Sequence, residues 1–157
     1  MSLYGLIVVI VALDQWSKLA VKNSVINLVK SKPIIQDFFY LTYVTNPGMA
    51  FGLSFPGDGG KHILLIMTIL LTGFIVGFLW KERNGHPFLK YGLALILSGA
   101  LGNLIDRLVY GKVVDFMDVM IGDFHWYIFN IADSSVTIGM ALFIIHSMIL
   151  ERSNIDN

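Results

Sequence analysis

Residues 87–108 read PFLKYGLALILSGALGNLIDRL, an apolar run that ends in three polar side chains. About 20 apolar residues are enough for an α-helix to cross the hydrocarbon core of a bilayer. Asn103, Asp106 and Arg107 fall at positions i, i+3 and i+4, so they share one face of that helix. Three small residues before this face would let a neighbouring helix approach closely: Ser98, Gly99 and Gly102. We predict a membrane-spanning helix that presents a polar face near one membrane surface.

Three other segments have the same apolar character, which gives four predicted spans: 3–21, 62–80, 87–108 and 131–150. We interpret the first as a retained helix, because no basic residue precedes its apolar core and no small-x-small cleavage site follows it. Of the 157 residues, 55% are hydrophobic and only 14% are charged, and the mean hydropathy is +0.71. Soluble domains carry about 25% charged residues. The sequence therefore predicts a single integral-membrane domain, residues 1–157, of the all-α class.

The two longer connections, residues 22–61 and 109–130, lie on the same side of the membrane if all four segments span it. Residues 38–44, FFYLTYV, are rich in aromatic and β-branched side chains and predict a strand, which the Asn-Pro-Gly sequence at 46–48 then turns. Lysine density in the short loop after the second span favours cytoplasmic termini. The long first connection also carries lysines, so the total lysine count does not decide the orientation.

The second long connection is rich in aromatic residues. Trp126 and Tyr127 suit the lipid interface. We interpret Asp118 and Asp123 as ordinary loop residues.

Ionisable side chains inside the spans need a partner or a function, because each costs about 2.5 kcal/mol or more at the centre of a span. Asp14 and Lys18 are four residues apart on the first helix, which fits a simple i,i+4 ion pair as well as part of a functional site. Asp106 and Arg107 fit a salt bridge within a packing motif. Arg107 is equally suited to bind a backbone carbonyl.

Two further aspartates lie close to the ends of the last two spans. Asp115 follows the third span, and Asn130 and Asp133 open the fourth, where both residue types are also typical of helix capping. All of these polar residues fall near the same membrane surface: Asp14, Lys18, Asn103, Asp106, Arg107, Asp115, Asn130 and Asp133. A one-sided cluster of acids, amides and bases in an apolar protein indicates a site.

The composition of this cluster favours acid–base chemistry between two carboxylates. The chain has no cysteine, no HExxH motif and only four scattered histidines, so we expect no metal site and no cofactor. The formal net charge of zero argues against nucleic acid as a partner. Two carboxylates a few ångströms apart share one proton at neutral pH. The ionised one can take a proton from water while the protonated one polarises an amide carbonyl, and the sequence leaves open which is which.

Two other classes of protein fit parts of the pattern. A small proton-coupled transporter also uses intramembrane Asp and Arg, but it predicts carboxylates near mid-membrane and broken helices. The second alternative is a non-catalytic membrane subunit, for which Asp115→Asn should have no effect in any hydrolysis assay.

The chain resembles the lipoprotein signal peptidases (signal peptidase II) along nearly all of its length. Five segments in order carry the resemblance: Asp14-Gln15-Trp16-Ser17-Lys18, Asn46-Pro47-Gly48-Met49-Ala50-Phe51-Gly52, Gly99-Ala100-Leu101-Gly102-Asn103-Leu104-Ile105-Asp106-Arg107, Val113-Val114-Asp115-Phe116 and Phe129-Asn130-Ile131-Ala132-Asp133-Ser134. The resemblance implies an aspartyl endopeptidase that removes signal peptides from diacylglyceryl-modified bacterial prolipoproteins by cleaving before the lipidated cysteine.

The resemblance also implies a fold and an orientation. The expected fold has four transmembrane helices, a small extracytoplasmic β-element and a short amphipathic surface segment. Both termini would lie in the cytoplasm, with residues 22–61 and 109–130 outside the bacterial cytoplasmic (inner) membrane. We expect a monomer that meets membrane lipid, its diacylated prolipoprotein substrate and inhibitors of the globomycin type.

By motif position, the resemblance makes Asp115 and Asp133 the catalytic dyad. The expected substrate-binding or dyad-supporting residues are Asp14, Lys18, Asn46, Gly48, Asn103, Asp106, Arg107 and Asn130. Residues 36–55 would cover the site. The chain departs from the family pattern at Met49, where a small residue is common, and at Tyr127, where proline is usual. The first departure would alter the pocket, and the second would make its loop less rigid.

Overall fold

A computed structural model of the chain describes residues 2–24, 31–48, 59–122 and 124–155. Its elements in chain order are α1 (Leu3–Ser24), β1 (Lys32–Ile35), β2 (Phe39–Asn46), α2 (Gly59–Glu82), α3 (Pro87–Tyr110), β3 (Val113–Ile121), β4 (Phe124–His125) and α4 (Ile131–Ile155). All four helices are long and apolar enough to cross a membrane. The predicted helical membrane fold with a small β-element is therefore confirmed.

Some sequence-based expectations concern residues outside these ranges. Met49 and the rest of the covering segment to residue 55 lie outside the described residues, and so does Asp123. The amphipathic surface segment stays a prediction.

Helix α3 is the central element of the bundle, since it packs against α1, α2 and α4. Its start is defined by Pro87 in the first turn and by His86, whose Nδ1 accepts the N–H of Phe88 at 3.3 Å. Its end is Gly111, which adopts the left-handed conformation at φ 68° and donates its N–H to the Arg107 carbonyl. This tight end sends the chain directly into β3.

Small residues bring α3 and α4 into close contact at two levels. The two glycines Gly92 and Gly139 face each other: a β-carbon on Gly92 would lie 2.9 Å from the Gly139 carbonyl oxygen. About two turns nearer the polar end, a β-carbon on Gly99 would lie 2.3 Å from the carbonyl oxygen of Ala132. Ser135 adds a hydrogen bond of 2.7 Å to the Leu95 carbonyl. The predicted role of the small residues in helix packing is confirmed at Gly99.

The strands form an antiparallel sheet in the order β1-β2-β3-β4. β2 lies at the predicted strand position, and it pairs with β3 so that Val44 stands opposite Asp115. The chain after β4 returns along β3, where Phe129 and Met117 exchange backbone hydrogen bonds of 2.8 and 3.0 Å. This return brings the first turn of α4 beside Asp115.

Burial in this protein differs from that in a soluble domain, because several polar side chains are fully buried and many large apolar ones are exposed. The largest fully buried side chains are Asn130, Asp14, Asp106 and Ser98. Large apolar side chains such as Leu70 and Phe74 on α2 are 68% and 70% exposed. Apolar side chains on the outside of such helices match lipid, and polar ones inside need mutual hydrogen bonds. The polar residues must therefore form an internal network.

Candidate active site

Asp115 lies on β3 with 4% of its surface exposed, between the buried side chains of Val114 and Phe116. Its Oδ1 accepts a hydrogen bond of 2.7 Å from Asn130 Nδ2, and its Oδ2 accepts one of 3.3 Å from Asn46 Nδ2. Burial, and then the charge of Asp133, raise the pKa of the Asp115 carboxyl to about 6, against the opposing effect of these two hydrogen bonds. A carboxyl with this pKa can hold a proton near neutral pH.

Asp133 lies in the first turn of α4 and forms a reciprocal cap with Asn130. The Asn130 side-chain oxygen accepts the Asp133 N–H at 2.9 Å, and Asp133 Oδ2 accepts the Asn130 N–H at 3.2 Å. This is the arrangement of a capping box. Asn130, which is fully buried, thus contacts both Asp133 and Asp115. The predicted helix-capping role of Asn130 is confirmed, and the same residue links the two carboxylates.

Asn103 on α3 connects Asp133 to a buried lysine. Its Nδ2 donates to Asp133 Oδ1 at 2.8 Å, and its Oδ1 accepts from Lys18 Nζ at 3.1 Å. The same oxygen accepts a weaker bond of 3.2 Å from Asn130 Nδ2. Asn103 therefore joins α1, α3 and the start of α4 through one amide group.

Lys18 forms ion pairs with two buried aspartates. Its Nζ lies 2.8 Å from Asp14 Oδ2, as the i,i+4 spacing predicted, and 3.0 Å from Asp106 Oδ2. Asp14 Oδ1 also accepts the Ala132 N–H at 2.9 Å, so α1 holds the first turn of α4. Asp106 Oδ2 accepts the Val114 N–H at 3.0 Å and thereby ties β3 to α3. Lys18, Asp14 and Asp106 thus fix the elements that present Asp115 and Asp133.

Gln15 belongs to this network, although we predicted no role for it from the sequence. Its Nε2 donates to Asp14 Oδ2, to Asp106 Oδ1 and to the Gly102 carbonyl at 3.0 to 3.1 Å. A polar amide in an apolar span next to Asp14 was the available indication. Its partners could not be foreseen, because Asp106 and Gly102 belong to a different helix.

Arg107 binds backbone carbonyls, which was one of the two interpretations left open by the sequence. Its guanidinium donates to the Gly48 carbonyl at 3.2 Å and to the Asn103 carbonyl at 3.4 Å. Gly48 in turn donates its N–H to Asn46 Oδ1 at 2.9 Å. Asn46, Gly48 and Arg107 therefore connect the turn after β2 to α3, beside Asp115.

The candidate site opens into a cleft of about 610 Å³. Its polar end contains both aspartates together with Asn46, Asn103 and Arg107. Apolar and aromatic residues form most of the remaining wall: Val113, Trp126, Tyr127, Ile128, Phe129, Val136 and Ile138. Within the described ranges, no group of three or more His, Cys, Asp or Glu side chains is arranged to hold a metal ion. The cleft can thus bind a molecule that has both a polar and an apolar part.

One sequence-based interpretation of the second long connection needs correction. Asp118 is not an ordinary loop residue, because it is 5% exposed on β3 and accepts a hydrogen bond of 3.0 Å from Thr42. Trp126 and Tyr127, which we assigned to the lipid interface, also line the cleft. The position of these two residues at the lipid interface stays a prediction. The error at Asp118 arises because Asp115 and Asp118 interrupt the apolar pattern of β3, which therefore resembles a loop.

Comparison with known proteins gives consistent matches over nearly the whole chain. The family model described as signal peptidase (SPase) II matches residues 6–149. The lipoprotein signal peptidase of Desulforapulum autotrophicum is 44% identical over 141 residues, which cover 88% of this chain and 86% of the relative. The lipoprotein signal peptidase of Clostridioides difficile is 42% identical and covers 95% of this chain and 96% of its own.

Two solved structures, both of bacterial membrane enzymes, have the same fold. The first is 35% identical with a TM-score of 0.79 and covers 97% of this chain and 90% of the solved one. The second is 36% identical with a TM-score of 0.76 and covers 92% of this chain and 90% of the solved one.

Proposed function

Because the chain belongs to the signal peptidase II family, we propose that it removes signal peptides from diacylglyceryl-modified bacterial prolipoproteins by cleaving before the lipidated cysteine. The chain is a multi-pass membrane protein of a peptidase family. The comparisons give no support to the alternative of a proton-coupled transporter. Asp115 lies beyond the end of α3 and Asp133 in the first turn of α4, whereas the transporter alternative predicts carboxylates in the middle of the spans.

We further propose that Asp115 and Asp133 act as an aspartic dyad. One observation carries this proposal: Asn130 donates to Asp115 through its side chain and to Asp133 through its backbone N–H, at the polar end of a cleft. Two carboxyl groups held by one residue in a buried site share a proton at neutral pH. The ionised carboxylate can then activate water while the protonated carboxyl polarises the scissile carbonyl.

The other site residues support the dyad or hold the substrate under this proposal. Asp14, Lys18 and Asp106 position the elements that present the aspartates, and Asn103 and Asn130 orient the carboxyl groups. Asn46, Gly48 and Arg107 hold the turn that borders the cleft.

The apolar wall of the cleft suits a substrate whose acyl chains stay in the bilayer. A lipidated cysteine would place its chains beside residues such as Val136 and Ile138 and its peptide bond beside the aspartates. The polar end would face the extracytoplasmic side, with both termini in the cytoplasm. We expect the enzyme to act as a monomer and globomycin to inhibit it by occupying this cleft.

Two isosteric substitutions test the dyad. Asp115→Asn and Asp133→Asn should each lower the cleavage rate of a diacylated prolipoprotein by about 100- to 10,000-fold, because each removes one acid–base group. The measurement is the gel shift of a purified lipidated precursor in detergent. Glu82→Gln is the matched control, since it also replaces a carboxylate by an amide and Glu82 is the last residue of α2, outside the cleft-lining residues.

The control variant should retain the cleavage rate of the unsubstituted protein. Residual turnover near that rate in either Asp115→Asn or Asp133→Asn would disprove the dyad. A precursor without diacylglycerol should be cleaved poorly, because it cannot occupy the apolar wall of the cleft. Equal cleavage of both precursors would contradict the proposed substrate.

A further inference from the structure

The two aspartates differ in their hydrogen-bond partners, and from this difference we propose that the dyad proton is held by Asp115 while Asp133 is the ionised base. This inference rests on the proposed aspartic mechanism and assigns a separate role to each carboxyl group. It also makes Lys18 and Asn103 positioning residues for Asp133, through a relay that runs from the lysine to the carboxylate.

The orientation of the Asn103 amide is fixed by a group that can only donate. Lys18 Nζ, an ammonium without lone pairs, lies 3.1 Å from one end of this amide, so that end must be the oxygen. The NH₂ end of Asn103 therefore faces Asp133 Oδ1 at 2.8 Å. Asp133 receives a short hydrogen bond from a donor that cannot be turned around.

The orientation of the Asn130 amide is fixed in the same way. The Asp133 backbone N–H can only donate, and it lies 2.9 Å from the Asn130 side-chain oxygen. The NH₂ end of Asn130 therefore faces Asp115 Oδ1 and the Val114 carbonyl. Both amide assignments follow from contacts with obligatory donors.

Asp133 is thus held in an environment that suits a negative charge. Each of its oxygens accepts from a donor, Asn103 Nδ2 at 2.8 Å and the Asn130 N–H at 3.2 Å. It also lies in the first turn of α4, where the helix dipole favours an anion.

Asp115 is in a less polar environment. It lies on a strand between Val114 and Phe116, which are 4% and 5% exposed, and no helix begins at its position. Its Oδ1 accepts the 2.7 Å bond from Asn130, but its Oδ2 accepts a bond of 3.3 Å from Asn46, which is long for a charge-assisted hydrogen bond. Burial raises the pKa of this carboxyl to about 6. A bound substrate that displaces water would raise it further.

Charged side chains from the neighbouring helices surround Asp115 and Asp133. α1 contributes Lys18 and Asp14, and α3 contributes Asp106 and Arg107. Asp14 and Asp106 share Lys18, so these three residues together carry one net negative charge. Tyr127 also lines the cleft.

The roles give a balanced hydrolysis. Asp133 takes a proton from water as the water oxygen bonds to the scissile carbon, and the carbonyl oxygen receives the proton of Asp115. When the resulting gem-diol collapses, the carbon–nitrogen bond breaks and the leaving nitrogen takes the proton from Asp133. One gem-diol hydroxyl then returns a proton to Asp115, so the dyad ends as it began.

The pH dependence of kcat/KM in two single variants tests the assignment. The acid limb of the profile reports the group that must be ionised, and the alkaline limb reports the group that must be protonated. Asn103→Ala removes a donor from Asp133, and Asn46→Ala removes one from Asp115. Loss of a donor makes a carboxylate easier to protonate. The substrate is a diacylated prolipoprotein peptide.

We expect Asn103→Ala to move the acid limb to higher pH by about one unit and to leave the alkaline limb in place. Asn46→Ala should move the alkaline limb to higher pH by a smaller amount, because its bond is longer. The exchanged pattern would overturn the assignment, and so would equal movement of both limbs or movement of neither. Absence of cleavage by the unsubstituted protein would instead refute the proposed function.

Two further measurements test the assignment if one of these variants folds poorly or is inactive. Asn103→Asp keeps an acceptor for Lys18 and places a second carboxylate against Asp133, so the acid limb should move further than in Asn103→Ala. Infrared absorption of the protonated carboxyl group, followed against pH, gives the same two titrations without turnover. If the lower titration responds to Asn46→Ala and the upper one to Asn103→Ala, the assignment is wrong.

Discussion

Gly99 is the position at which one methyl group should affect both the fold and the candidate site. A β-carbon there would lie 2.3 Å from the Ala132 carbonyl oxygen and 2.5 Å from Val136 Cγ2. The first contact is with backbone, which cannot rotate away as a side chain can. Gly99→Ala therefore has to push the first turn of α4 away from α3.

The size of this displacement follows from the distances. Ordinary van der Waals contact begins at about 3.4 Å, so the helices must separate by about 1 Å at this level. Overpacking of this kind costs about 1–3 kcal/mol. The displaced turn also carries Asp133, and a misplacement of about 1 Å at a reacting group can lower turnover about 100-fold.

Gly77→Ala on α2 is the matched control. A β-carbon on Gly77 would have nothing within 4 Å, so the variant should only gain about 0.5–1 kcal/mol of helix stability. Because Gly99 also lies inside a helix, this gain applies to both variants, and they should differ by about 1–3 kcal/mol in the free energy of unfolding. Thermal unfolding in detergent and the gel-shift cleavage assay measure the two effects.

Two outcomes would contradict these expectations. If Gly99→Ala unfolds at the same temperature as Gly77→Ala, the close contact between α3 and α4 is not present in the protein. If Gly99→Ala is destabilised but cleaves at the normal rate, the first turn of α4 does not position a reacting group.

Two further substitutions test the supporting network. Lys18→Met leaves Asp14 and Asp106 buried without their shared cation, so we expect the free energy of unfolding to fall by about 3–5 kcal/mol. Lys22→Met is the control, because the exposed Lys22 ammonium only lies over the Tyr110 ring, and it should cost at most about 1 kcal/mol. Equal unfolding midpoints for the two lysine variants would contradict the network. Arg107→Lys removes the planar guanidinium that donates to the Gly48 and Asn103 carbonyls. It should lower kcat/KM at least about 10-fold and change the unfolding midpoint little. An unchanged kcat/KM would show that these two hydrogen bonds are not needed for cleavage.

Local periodicity explains what the sequence could predict. The four helices follow from apolar length, and the pair of Asp14 and Lys18 follows from i,i+4 spacing on one helix. The contact of Lys18 with Asp106 depends on how α1 crosses α3, which no spacing along a single helix specifies. The same holds for Gln15, whose partner Gly102 lies 87 residues away.

The strand β3 was missed for a related reason. Its sequence VVDFMDVMI contains β-branched and aromatic residues, but Asp115 and Asp118 break the apolar pattern. Both are buried and both accept hydrogen bonds from β2, through Asn46 and Thr42. A carboxylate inside a strand is explained only by its partners on the next strand, so the sequence of β3 alone favours a loop.

Helix capping and a site role were weighed as alternatives for Asn130 and Asp133, but in the folded protein they depend on the same contacts. Capping uses the Asn130 side-chain oxygen and backbone N–H, and this leaves its NH₂ group directed at Asp115. The cap therefore sets the distance and orientation between the two carboxyl groups. Any substitution at Asn130 that weakens the start of α4 must also release Asp115, so stability and the proposed chemistry cannot be separated at this residue.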